Sequence, residues 1–361
     1  MRIELIKRPQ RSALFSAVSP LLALGLTVIA GFLIFSALGK PPFEALYIYF
    51  IEPLSETWQL HELAIKAAPL IMIAVGLSVC YRSNNWNIGA EGQFILGGIA
   101  GSLIPILMPG FQNVLTLPLM LLFGFIGGAA MGAIPALLKT RFNTNEILTS
   151  LMLVYVAQLF LDWLARGVFR DPNGNNFPGS IRFPSAARLP EIIPSQGGAH
   201  LGIVLAVIAA IVVWVMMKYL LRGFEVKVLG GSPRAGRFAG FSSSKMVFFA
   251  FILSGGLAGL AGICEVSGAI GQLRETISPG YGFAAIIVAF LGRLNPLGAI
   301  AAGFVLALTY LGGEGAQMSL GISDKVARVF QGLLQFFVLG CDTLIHYRIR
   351  LVFGDPVKAQ G

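Results

Sequence analysis

Charge is what this chain has least of. Only 12% of its 361 residues are Asp, Glu, Lys or Arg, and no hydrophilic stretch is long enough to fold as a separate catalytic domain. Acids are the scarcer sign, 17 against 26 basic residues, and there are three His. The three cysteines, Cys80, Cys264 and Cys341, lie in or beside apolar runs without CxxC or metal-ligand spacing, which argues against a disulfide framework and a zinc site. Segments that alternate apolar and polar at every second position are missing too, so a transmembrane β-barrel is excluded. What is present is apolar: 56% hydrophobic residues and 44 Gly, with a mean hydropathy of +0.78. Several continuous runs reach the roughly 20 residues that cross about 30 Å of hydrocarbon. The expected class is all-α, a polytopic membrane helical bundle with no catalytic residue and no metal site.

Apolar runs and their flanks predict about ten membrane segments, near 18–38, 63–81, 87–109, 114–138, 146–165, 200–220, 246–270, 281–292, 297–313 and 326–345. The eighth is short, as a broken or re-entrant helix would be. The first run is long for a signal-peptide core and is followed by a poor cleavage site, so it reads as an uncleaved span. Arg2, Lys7, Arg8, Arg11, Arg82, Lys139, Arg141, Lys218, Arg222, Lys227, Arg234, Arg237, Lys245, Arg293, Arg348, Arg350 and Lys358 all fall on one side if segments alternate from an inside N-terminus. The excess of Lys and Arg marks that side as cytoplasmic and places both termini there. The chain is then a single transmembrane domain over 1–361. It has a cytoplasmic N-terminal segment (1–17), a Pro-rich external loop (166–199), a basic cytoplasmic loop (221–245) and a cytoplasmic tail (346–361).

Within the basic loop, Gly231 and Gly236 have P-loop spacing, but Arg237 and Phe238 stand where the phosphate-binding Lys and the Ser or Thr must be. ATP-driven work would therefore belong to a partner. The loop does predict a short helix over Pro233–Phe238, with Ser232 as N-cap, Pro at the first position and Gly240 as the stop. Such a helix presents Arg234, Arg237 and Phe238 either to a docking groove or to the anionic leaflet.

Intramembrane polar residues are the other candidates. Trp86, Asn87, Glu91 and Gln93 open the third segment, and burying an unpaired amide or carboxylate in hydrocarbon is costly. These residues should either form a closed interhelical network or line a solute pathway. Glu265 lies near the outer end of its span, where it can bond a solute hydroxyl or reach water. Asn145 and Glu146 open the fifth segment as helix-capping residues, Glu146 through the macrodipole, and Gln158 is expected to make a helix–helix hydrogen bond. Ser278, Pro279 and Gly280 precede the short eighth segment, a pattern that frees backbone groups for binding near mid-membrane. Tyr281 and Phe283 can stack on a planar or sugar-like solute, or pack between helices. No central Lys or Arg is evident in the spans, which favours a neutral polar solute. The aromatic residues tilt that reading toward a nucleoside, ahead of a simple sugar.

The run Asn87-Ile88-Gly89-Ala90-Glu91-Gly92-Gln93 is one of three blocks that carry a family resemblance. The others are Asn145-Glu146-Ile147 with Leu151-Met152-Leu153, and Gly282-Phe283-Ala284-Ala285-Ile286 with Leu291-Gly292-Arg293-Leu294-Asn295-Pro296. Together they resemble the permease subunit of bacterial ABC importers in the ribose and branched-chain amino-acid permease superfamily, nearest its nucleoside and simple-sugar branch. By this resemblance Ser232, Pro233, Arg234, Ala235, Gly236, Arg237, Phe238, Ala239 and Gly240 form the segment that couples to the ATPase. The resemblance further implies a multi-pass bacterial inner-membrane location and two ATP-binding subunits that hold ATP and Mg, with no cofactor on this chain. It also implies a second, related permease subunit and an extracytoplasmic solute-binding protein. Val154 departs from the Leu-Asn-Tyr of many relatives and removes an amide from the fifth segment. An ion-coupled secondary transporter using Glu91 or Glu265 as proton carrier is the alternative, but it gives the docking helix no role.

Overall fold

The computed structural model describes residues 2–7, 13–174, 177–192, 198–323, scattered positions between 325 and 341, and 347–352. The helices are α1 (Ala13–Ala37), α2 (Pro42–Phe50), α3 (Thr57–Arg82), α4 (Ala90–Leu107), α5 (Thr116–Phe142) and α6 (Glu146–Arg166). They continue with α7 (Gly202–Tyr219), α8 (Leu221–Gly231), α9 (Pro233–Phe238), α10 (Ser243–Cys264), α11 (Tyr281–Leu291) and α12 (Pro296–Leu320). Among the described residues, seven helical segments are long and apolar enough to cross a membrane: α3 to α7, α10 with its continuation to Ile270, and α12. Nine of the ten expected segments coincide with a helix, whereas the tenth, 326–345, lies largely outside the described residues. Two helices, α2 and α8, were not expected, because they are short and their apolar residues do not form a spanning run.

One expectation needs correction. The chain is nearly all helical, but β1 (Arg2–Lys7) pairs antiparallel with β2 (Tyr347–Val352), Leu5 opposite Ile349. Each strand is six residues, and its partner lies at the far end of the chain, so no local window displays the pairing.

Two compact units are present, Met1–Glu52 with Gly312–Gly361, and Pro53–Leu311. In the first, Phe35, Ala45, Ile48, Tyr49, Ala316 and Ile322 form a buried cluster. The second is a bundle in which α10 packs most extensively on α5, α4 and α3. Glycine makes a close crossing possible: a Cβ on Gly128 of α5 would collide with the backbone of Gly255 and Gly259 on α10. With α3 so enclosed, its apolar residues face neighbours on every side instead of forming one stripe. The Cys80 thiol donates to the Ala250 carbonyl (3.2 Å), and Gly76 sits against Ser254, which fixes an antiparallel register between α3 and α10.

The described part of the loop after α6 is folded, with hydrogen bonds running along the stretch that follows α10. Ser180 N donates to Leu273 O (2.8 Å), Phe183 N to Gly271 O (2.8 Å) and Leu189 N to Ser267 O (3.1 Å). From Gly271 to Gly280 the chain is non-helical, and only then does α11 begin. At 1.5 Å per residue its 11 residues span about 16 Å, roughly half the hydrocarbon.

Candidate functional site

Asn84, at φ +57, turns the chain after α3 and delivers residues 85–89 to the start of α4. There Asn87 and Gln93 face each other as a reciprocal amide pair: Asn87 Nδ2 donates to Gln93 Oε1 (2.9 Å) and Gln93 Nε2 to Asn87 Oδ1 (3.1 Å). Asn87 Nδ2 also donates to Ser254 Oγ (3.1 Å), its Oδ1 accepts from Gly89 N (3.1 Å), and its carbonyl accepts from Tyr81 OH (3.0 Å). Both amides are fully buried, so this network removes the penalty that unpaired amides would carry.

Glu91 lies beside this network, 6% exposed. Its Oε2 accepts from Gly282 N at 2.6 Å, and the Phe283 amide and Ser278 hydroxyl also bond its carboxylate. Tyr281 is buried between Phe94 (ring centroids 6.1 Å) and Tyr310 (5.6 Å). Phe283 is 41% exposed. At the other end of α11, Phe290 stacks on Tyr81 (5.3 Å) and Trp86 (6.3 Å). Trp86, Asn87, Glu91, Gln93, Tyr281 and Phe283 therefore gather around the start of α4 and the length of α11.

Glu265 lies elsewhere, toward the opposite ends of α3 and α10. It opens a π-helical turn (Glu265–Ile270), a distortion common at functional sites. Its carboxylate is buried, and Oε2 has no hydrogen-bond partner among the described residues. The α3–α10 register sets Glu265 across from Lys66, and the charges of Lys66 and Glu62 act on it. Lys66 escaped the sequence reading, although it is the only basic residue between Lys40 and Arg82. One turn along, the His200 ring packs against Gly268 and Gly202, with Nδ1 accepting from Gly202 N (3.1 Å). Burial pushes its pKa down to about 4. An open cavity of about 810 Å³ lies between the loop after α6 and the post-α10 segment, with Asp171, Arg182, Gln272, Arg274 and Glu275 among its lining residues.

Two capping assignments sharpen. Asn145 is the N-cap of α6, accepting from Ile147 N (2.9 Å) and Leu148 N (3.4 Å). Glu146 is the acid in the first turn of α6 and also pairs with Lys139 (2.6 Å), which donates to Asn85 Oδ1 (2.8 Å). Gln158 donates to the Glu275 carbonyl (3.1 Å) in the non-helical stretch, not to another helix. Val154 packs against Gly92 of α4.

The basic loop folds as its local signals predict. Ser232 Oγ accepts from Ala235 N (3.4 Å), Pro233 opens α9, and Gly240, at φ +82, follows its end, a conformation that favours glycine. Gly236 is buried against Leu229 of α8, and a Cβ on Gly230 of α8 would collide with the Arg82 carbonyl at the end of α3. Phe238 is 94% exposed, and Arg234 and Arg237 share its helix and are also exposed.

The family of the branched-chain amino acid transport system permease component matches residues 59–339. The chain belongs to this permease family. The permease is 34% identical to the glucose ABC transporter permease protein TsgB13 of Haloferax volcanii, over 100% of this chain and 99% of that protein. It is 28% identical to the guanosine ABC transporter permease protein NupP of Bacillus subtilis, over 95% of this chain and 97% of that one. It is 26% identical to the nucleoside ABC transporter permease protein NupB of Lactococcus lactis, over 88% and 89% respectively. The permease is accordingly a multi-pass membrane protein.

Proposed function

We propose that this permease is the membrane subunit of an ATP-driven importer that moves a neutral, sugar-bearing solute, a nucleoside or a simple sugar, by alternating access. The observation that carries the ATP-coupled reading is α9: a short, capped helix that presents Phe238, Arg234 and Arg237 to its surroundings while its glycine face is seated on α8. Such a helix suits a groove on an ATPase. The contact of α8 with the end of α3 offers a path by which the groove's movement reaches the bundle. Relatives named as glucose, guanosine and nucleoside ABC permeases support the solute class. The polar groups support it as well, because Glu91 is engaged by backbone amides and the Lys66 charge faces those of Glu265 and Glu62. An ion-coupled carrier leaves α9 without a role.

In this reading ATP and Mg bind to partner subunits, a second related permease chain completes the pathway, and an extracytoplasmic protein delivers solute. Closure of the ATPases favours one cavity orientation through differential binding of nucleotide to the two states. Ten crossings of the bacterial inner membrane with both termini cytoplasmic fit the arrangement, and pairing of β1 with β2 supports both ends lying on one side. Competition for uptake by the complete complex in vesicles tests the proposal. Uptake should require the ATPase and should be inhibited by adenosine, uridine, ribose or glucose. Inhibition by leucine alone would exclude the neutral-solute reading, while uptake that persists without the ATPase would exclude ATP coupling.

A further inference from the structure

The amide groups at the start of α11 have no partners within their own helix, and they lie inside the protein, where bare N–H groups are costly. Side chains answer each of them. Ser278 Oγ accepts from Gly280 N (3.1 Å) and Tyr281 N (3.0 Å), while the Glu91 carboxylate accepts from Gly282 N and Phe283 N and from the Ser278 hydroxyl. Ala284 N then begins the helical ladder by donating to Gly280 O (3.0 Å). Glu91 is thus the cap of α11, supplied from another helix. Contact is so close that a Cβ on Gly282 would collide with the Glu91 backbone.

What this cap controls is visible in the first turn. Tyr281, Gly282 and Ala284 are buried, whereas Phe283 is 41% exposed. The amide of the exposed residue and the amide before it are the two that Glu91 holds. Its neighbours Asn87 and Gln93 bond each other and Ser254, so among the described side-chain hydrogen bonds Glu91 is what ties α4 to this turn, beside the ring contact of Phe94 with Tyr281.

We propose that Glu91 is a positioning residue for solute recognition: by gripping the Gly282 and Phe283 amides it sets where the Phe283 ring stands. This rests on the sequence reading in which Phe283 stacks on the solute of the proposed importer, and two readouts separate the two ideas. The first uses the complete complex carrying 4-fluorophenylalanine at position 283 and follows its fluorine resonance. Glu91→Ala should shift or broaden that resonance, with a smaller change for Glu91→Gln, which keeps an accepting oxygen. A resonance unmoved by Glu91→Ala in a folded complex would overturn the positioning role, whatever Phe283 does for solute.

The second readout is uptake of radiolabelled adenosine and glucose by vesicles. Phe283→Ala and Glu91→Ala should each raise the half-saturating concentration of the transported solute by roughly tenfold, the scale of one lost aromatic contact. The double variant should be no worse than either single one, because both act through the same ring. Multiplying effects would overturn the proposal. A fluorine shift with Glu91→Ala but unchanged half-saturation for Phe283→Ala would instead remove Phe283 from the pathway.

Discussion

Asn87 illustrates how polar residues in this bundle are used. Its amide and that of Gln93 satisfy each other, so removing one leaves the other buried without its partner. Gln93→Leu or Asn87→Leu should each lower stability by about 1–3 kcal/mol. The double variant should lose less than the sum, as thermal unfolding in detergent would register. The need for internal partners was legible in the sequence, since amides in apolar runs must be answered. Which groups answered them was not, because Ser254 lies 167 positions from Asn87 and joins it only through packing. His200 makes a separate prediction. Burial holds its pKa at about 4 against 6.5 for the free side chain, so the unfolded chain binds the extra proton first as pH falls. Its contribution is therefore complete above pH 6.5 and is lost as pH falls toward 4, by about 2 kcal/mol at pH 5. Melting curves at pH 7 and 5 should converge in His200→Gln relative to the parent chain.

Among the elements, α9 was the most legible. Ser232, Pro233 and Gly240 act on adjacent backbone, so the cap, first turn and stop needed no tertiary information. Changing Gly236 to Trp should displace α9 from Leu229, and Arg237→Glu should penalise docking on an acidic groove by reversing a charge. Either substitution should cut uptake and solute-stimulated ATP hydrolysis while the chain still inserts; full uptake by an assembled Arg237→Glu complex would rule out the docking role. The crossing of α10 on α5 is less forgiving. Gly255→Leu places a side chain where the Gly128 carbonyl lies and should cost several kcal/mol, read as lost yield and a lower melting temperature. The short eighth segment was anticipated from its length and flanking Gly and Pro. That its first turn would be capped by a carboxylate from α4 could not be read from spacing.

For the whole molecule, the proposed sidedness makes a labelling prediction. In a background lacking Cys80, Cys264 and Cys341, a cysteine at Ser185 in the external loop should react with an impermeant thiol reagent in intact cells. One at Ser243, at the start of α10, should not. The reverse pattern would invert the proposed topology. The membrane class and most spans follow from run length alone, because a helix that crosses lipid must be long, apolar and contiguous, and those properties are local. Family-specific blocks are likewise contiguous. The pairing of β1 with β2, the approach of Lys66 to Glu265, and the path of Gly271–Gly280 along the loop after α6 belong to the folded chain. Helices as enclosed as α3 bury several faces, so their hydrophobicity marks no preferred side. Glycine-to-backbone contacts and buried hydrogen bonds choose the faces that meet, and those form between segments the linear order keeps apart.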